Sequence, residues 1–127
     1  MRVFKSAPFA RWARWARKAG LPDASLCRAV NEMSEGLIDA DSGGGVVKKR
    51  VSWPGRGKSG AARTLVATRK RGRCWGFMFG LEKNERSNFD EDEVMAAQHL
   101  AKDLLTRTDA ELDVLVSRLI LMVICHG

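Results

Sequence analysis

With 127 residues and a formal charge of +7, the chain is one domain, long enough to bury a hydrophobic core. Its longest uninterrupted apolar run, Leu119–Cys125, falls far short of the roughly 20 residues that cross a bilayer, and Arg2, Lys5, Arg11 and Arg14 interrupt any apolar secretory core at the N-terminus. Cys27, Cys74 and Cys125 are odd in number, widely spaced and without a Cys-x-x-Cys pattern, which argues against a disulfide scaffold or a zinc site and points to a reducing cytoplasm.

In chain order, Arg2-Val3-Phe4-Lys5 reads as a short edge strand. Pro8 then opens a helix, because proline favours the first helical turn. Phe9, Trp12, Ala13, Ala16 and Ala19 recur at helical spacing and face the core, and Gly20 ends the helix. Trp15 falls among basic side chains. It reads either as a rim residue with one packed edge or as a contact for a partner. A second helix runs from Asp23, a good N-cap, to Glu35, with Gly36 as its stop and Leu26, Val30 and Met33 as its buried stripe. The pair forms a helical hairpin. Gly43-Gly44-Gly45 reads as a hinge before a sheet.

Three strands follow. Val46–Trp53 alternates, with Val47, Val51 and Trp53 on one face and Lys48, Arg50 and Ser52 on the other. Arg63–Arg69 is rich in Thr and Val but does not declare its faces. Arg73–Leu81 places Trp75, Phe77, Phe79 and Leu81 on one face, expected to meet the helices. Cys74, Gly76, Met78 and Gly80 take the other, expected to leave open space. Asn88 or Asp90 caps a third helix, whose first turn is acidic and whose stripe is Val94, Ala97, Leu100, Ala101 and Leu104. A capping box, Thr108–Glu111, opens a last helix. That helix continues into Leu119–Ile124, which is either core or a surface awaiting a partner. The expected fold is α+β: an N-terminal helical hairpin packed on a small twisted antiparallel sheet, with C-terminal helices. Residues 1–41 hold the short strand and hairpin, 46–82 the sheet and 88–127 the C-terminal helices.

The charge pattern carries most of the functional signal. Residues 1–73 sum to +12 and residues 74–127 to −5, so a basic working surface with an acidic flank is expected. Ser42 to Leu81 holds ten Lys and Arg and no Asp or Glu. The cations are interleaved with strand formers, so this is a folded basic sheet suited to a polyanion such as nucleic acid. Gly55-Arg56-Gly57-Lys58-Ser59 is not a P-loop, since Ser52 stands where the first glycine belongs and a strand, not a helix, follows. His99 and His126 are the only histidines, and no carboxylate cluster is placed against the basic sheet. Metal catalysis and a nucleophilic triad therefore lack support, and no cofactor is expected. A Lys/Arg site can still promote attack by the RNA 2′-hydroxyl, because it neutralises the non-bridging oxygens of the phosphorane without a metal. Plain phosphate-backbone binding without chemistry is the alternative.

Several segments occur together in order: Phe9-Ala10-Arg11-Trp12, Leu26-Cys27-Arg28-Ala29-Val30, Gly36-Leu37-Ile38-Asp39-Ala40-Asp41, Val47-Lys48-Lys49-Arg50, Gly57-Lys58-Ser59-Gly60, Arg63-Thr64-Leu65-Val66 and Lys83-Asn84-Glu85-Arg86-Ser87-Asn88. From about Val3 to Leu105 the chain thus resembles the RelE/HigB branch of bacterial type II toxins, in the RelE/ParE superfamily. The resemblance implies a compact α/β fold and a bacterial, cytoplasmic mRNA endonuclease that acts on the ribosome. It also implies a neighbouring antitoxin, commonly a helix-turn-helix protein. Carried over residue by residue, it places catalysis on Lys58, Arg63, Lys83 and Arg86. Lys48, Lys49, Arg50, Arg56, Arg69 and Phe89 are expected to contact RNA. Trp12, Trp15 and the apolar stretch Leu119–Ile124 are expected to face the antitoxin. The chain departs from the family at Ala62, where an aromatic residue is usual, and in having no Tyr. A noncatalytic RNA- or ribosome-binding relative and a gyrase-directed toxin on the same fold are the alternatives.

Overall fold

A computed structural model of the chain describes residues 1–16, 20–53, 61–69, 73–82, 86 and 88–126. The elements run β1 (Arg2–Ser6), α1 (Ala7–Trp15), α2 (Asp23–Ser34), β2 (Ala40–Gly43), β3 (Val46–Ser52), β4 (Ala61–Thr68), β5 (Cys74–Glu82), α3 (Glu91–Thr106), α4 (Asp109–Ser117) and β6 (Leu121–Ile124). The strands form one sheet in the order β2-β3-β4-β5-β1-β6. Its neighbours are antiparallel except β1 and β5, which run parallel. The α+β class holds. The chain opens on the expected short strand ahead of its first two helices, but that strand lies inside the sheet instead of at its edge.

Helix boundaries follow local chemistry. The Ser6 hydroxyl caps α1 by accepting the Phe9 N–H at 3.2 Å, with Pro8 in the first turn. Both C-terminal helices open on reciprocal capping boxes, Asp90 with Glu93 and Thr108 with Glu111. Asp23 is the first residue of α2 and not its cap, which is Pro22.

The sheet separates two cores. Phe9, Leu26, Val30, Val66 and Phe77 pack with α1 and α2 on one side. Phe4, Leu65, Leu81, Ala101 and Leu112 pack with α3 and α4 on the other. The central strand β4 is therefore apolar on both faces, which is why its sequence shows no alternation.

Several sequence expectations change. Gly43-Gly44-Gly45 is the turn of the β2–β3 hairpin, and all three glycines have positive φ. A side chain at Gly45 would press on Leu105 at 2.8 Å. The strand β2 was not expected, since Ala-Asp-Ser-Gly has little strand propensity. In β5 a register shift opposite Leu65 and Val66 changes which face the residues meet. Trp75 and Phe77 point toward α1 and α2, while Phe79 and Leu81 join the α3 side. The small-residue face is not open. Leu104 of α3 fills the space over Gly76, and the Trp12 ring of α1 fills that over Gly80. Leu100, expected in the core, is exposed.

The C-terminal run is a strand, not the end of a helix. Leu119 adopts φ +59°, and Leu121–Ile124 then pairs with β1 in the register Val3↔Ile124. A seven-residue apolar run reads equally well as helix or strand, and the open flank of β1 decides it. The cysteine reading also changes. Cys27 of α2 and Cys125, just past β6, form a disulfide across 98 residues of sequence, leaving Cys74 as the free thiol. Folding brings distant positions together, so cysteine spacing gave no guide here to pairing or to compartment.

Candidate functional site

The hairpin of β3 and β4 sets Arg50 directly opposite Arg63. Both side chains lie on the face away from α1 and α2, because their neighbours Val51 and Ala62 point into that core. Lys48 lies two residues along the same face of β3. A cleft of about 360 Å³ opens there, lined among others by Asp39, Lys48, Arg50, Arg63, Asn88 and Phe89.

The partners of these cations differ. Arg50 is held by Asp39, whose carboxylate accepts from both the backbone N–H and, at 3.4 Å, the Nε of Arg50. Lys48 donates to Asn88 at 3.3 Å. Arg63, partly exposed, has neither a hydrogen bond nor an ion pair from its side chain among the described residues. Two like charges directly opposite in a sheet are destabilising. Asp39 relieves half of this pair and leaves the other cation uncompensated in a cleft.

Lys49 belongs elsewhere. Its side chain, 9% exposed, turns to the helical face, where it pairs with Glu32 at 3.0 Å and donates to the Leu37 carbonyl at 2.8 Å. Phe89 is only 7% exposed and packs into the α3-side core, so its ring is not presented for stacking. Arg69 is exposed at the far end of β4, six residues from Arg63 and so roughly 20 Å away at strand rise. There it lies near Cys74, whose thiol is pushed up by burial and drawn down by the positive charge of Arg69. Lys58, Lys83 and Arg56 lie outside the described residues.

Arg86 sits in a carboxylate fork. Its two terminal nitrogens donate to the two Glu93 oxygens at 2.6 and 2.7 Å, with Asp90 at 3.7 Å. The hydrogen bond from Arg86 is the main cause that lowers Glu93 to about 2. Glu93 does double duty, since it also accepts the Asp90 N–H of the capping box.

Of the two tryptophans on α1, Trp12 is a packing residue: it lies over Gly80 and against Phe9, with ring centroids 5.4 Å apart. Trp15 is 74% exposed. In Leu119–Ile124 the exposed part is Leu119 and Ile120, while Leu121 and Ile124 are buried. Asp39, Asn88 and Glu93 were not anticipated as parts of the site, and Asp39 brings a single carboxylate, not a cluster, to the basic strands. Asp39 was visible only as part of the Gly36–Asp41 segment, and Glu93 only as one acid in the first turn of the third helix.

Among the described residues no three His, Cys, Asp or Glu converge as a metal-binding group, and no helix is long and apolar enough to cross a membrane. Fold and cleft together define a small α+β protein with a cationic cleft over one end of its sheet. The model of the RelE toxin, from the RelE/RelB toxin–antitoxin system, matches residues 1–124. The chain belongs to this family, a family of toxins with an antitoxin partner. No curated protein matches it closely enough to count as a relative.

Proposed function

We propose that this chain is a metal-independent endoribonuclease that cuts mRNA at the ribosome and is held in check by a cognate antitoxin. The observation that carries the proposal is the Arg50–Arg63 pair with Lys48 beside it on one cleft. An arginine left without a carboxylate where the fold gains nothing from it suits a phosphate, because a guanidinium presents parallel donors to two phosphate oxygens.

In this reaction the 2′-hydroxyl oxygen attacks the adjacent phosphorus. The O2′–P bond forms as the P–O5′ bond breaks, leaving a 2′,3′-cyclic phosphate and a 5′-hydroxyl. Arg63 holds the non-bridging oxygens, where negative charge builds in the transition state. Lys58 serves the 2′-hydroxyl or the phosphate. Arg86 stabilises the leaving group, with Lys83 beside it in sequence. Lys48 and Arg50 track the RNA backbone. Lys49 and Phe89, engaged in the fold, drop out of the RNA contacts, and Arg69 lies too far from the cleft to share them.

One observation favours a second reading, noncatalytic binding to RNA or the ribosome. Arg86 is already matched by Glu93 and Asp90, and the chain has no Tyr to exchange a proton. Purified protein added to translating ribosomes separates the two. Cleavage should leave cyclic-phosphate ends, and the chemical step should survive chelation when ribosome integrity is maintained separately. A divalent-ion requirement in that step overturns the mechanism. Tight binding without new ends supports the noncatalytic reading.

A further inference from the structure

The exposed face of α1 has no role in the cleft. Arg11, Arg14 and Trp15 are all exposed on it. Arg11 is a surface neighbour of both others, three and four residues on. No acid occurs between Ala7 and Trp15, and neither arginine has an ion pair among the described residues.

Their place in the fold matters. Trp12, one turn before the helix end, lies over Gly80, and Gly80 pairs with Thr64, the neighbour of Arg63. Beyond the helix, the Gly20 carbonyl accepts from the Trp53 indole at 3.0 Å, at the end of β3. The C-terminal end of α1 is therefore at the same end of the sheet as Arg50 and Arg63, on the opposite face.

We propose that Arg11, Arg14 and Trp15 form a second contact for single-stranded RNA, in which the indole stacks on a base and the two arginines hold the flanking phosphates. This extends the RNA-directed reading above and rests on it. RNA passing through the cleft rounds the end of the sheet and meets this helix. Aromatic rings set among cations are what single strands use, since every base has a stacking face and every linkage a charge. The alternative occupant is a protein, such as the antitoxin. A protein hot spot sits within a patch of apolar neighbours that exclude water. Trp15 is the only large exposed hydrophobic residue on α1. The exposed Leu119 and Ile120 lie at the other end of the helix, where the Ile120 carbonyl accepts from Ala7. Charge and isolation together favour RNA.

The test is binding of the full-length protein to a short single-stranded RNA with methylated 2′-hydroxyls, which cannot be cut, followed by fluorescence anisotropy. Trp15→Ala should weaken binding about tenfold, the scale of one lost base–aromatic stack. Trp15→Phe should keep most of the affinity. Arg11→Ala with Arg14→Ala should flatten the salt dependence by about 1.4 log units per log unit of salt, the share of two phosphate contacts on a single strand. Thermal unfolding of each variant should match the parent, because the side chains are exposed. RNA affinity unchanged in Trp15→Ala overturns the proposal. So does a variant that loses affinity for the antitoxin alone, which makes the surface a protein dock. If Arg63→Ala abolishes cleavage while Trp15→Ala binds RNA normally, this inference fails and the nuclease reading stands. If no variant or parent cuts RNA, the nuclease reading fails by itself.

Discussion

The cations of the C-terminal half and those of the β3–β4 hairpin are treated differently by the fold. Around α3 and α4, three arginines meet carboxylates: Arg86 meets Glu93, Arg107 meets Asp103 at 3.1 Å, and Arg2 reaches across to Asp113 at 2.6 Å. On the hairpin, Arg50 shares Asp39 and Arg63 has no acid at all among the described residues. Exposed ion pairs contribute little stability, but they do cancel local charge. Where carboxylates meet these arginines, their positive charge is cancelled, in a half of the chain that sums to −5. Where the fold withholds them, two guanidiniums face each other across a strand pair at a cost to the sheet. What marks the cleft is an uncompensated guanidinium set opposite a second one across a strand pair.

The sharpest way to break this contrast is to remove one arginine from each region. Arg63→Ala should lower mRNA cleavage by a factor of about 10² to 10³, the worth of one preorganised charge contact at a transition state, with the fold unchanged. Arg107→Ala should leave cleavage at the parent rate. Equal effects in a ribosome cleavage assay would mean that the unpaired state of Arg63 has no functional meaning.

The covalent tie between α2 and the C-terminal end of the chain comes next. Cys27→Ser should cost about 2–4 kcal/mol in denaturant unfolding, as expected for a cross-link that closes a long loop. Reductant should bring the parent down to the variant, and a parent indifferent to reductant would show that the cross-link does not form in solution.

Gly80→Ala asks whether Trp12 supports the cationic end. Its methyl group enters the space of the Trp12 ring and should cost about 1–3 kcal/mol. Shortening Trp12 to Leu in the same chain should recover part of that loss, and a loss independent of residue 12 would rule the contact out.

The smallest effect belongs to Glu93. Its carboxyl is lowered from its ordinary value of 4.5 to about 2 by Arg86, so its contribution is present above pH 4.5 and is lost as pH falls toward 2. Glu93→Gln should therefore show a small drop in melting temperature at neutral pH, a gap that closes in acid. A gap that widens on acidification would contradict the ion pair.

Much of the local structure was legible. The capping box at Thr108, a cap at Asp90 as one of two candidates, the stop at Gly36 and the basic strands, expected at 46–53 and 63–69 and found at Val46–Ser52 and Ala61–Thr68, depend on residues a few positions apart, and they hold to within a residue or two. Arg63 was singled out by its place in a motif, and among the described residues its side chain has no carboxylate partner. The misreadings share one cause. Lys48 and Lys49 look alike in sequence, yet strand alternation sends one to the cleft and the other to Glu32. Phe89 reads as a free aromatic until α3 folds over it.

Short-range chemistry, meaning caps, glycine stops, strand propensity and charge composition, was determined by the sequence by itself, because each depends on neighbours that chain connectivity already supplies. The tertiary structure alone decided the strand at Leu121–Ile124, the pairing of Cys27 with Cys125, the face change in β5 and the isolation of Arg63. Each of these depends on a partner brought from far along the chain. An apolar run, a lone thiol or a lone cation has no fixed meaning until that partner arrives or fails to arrive.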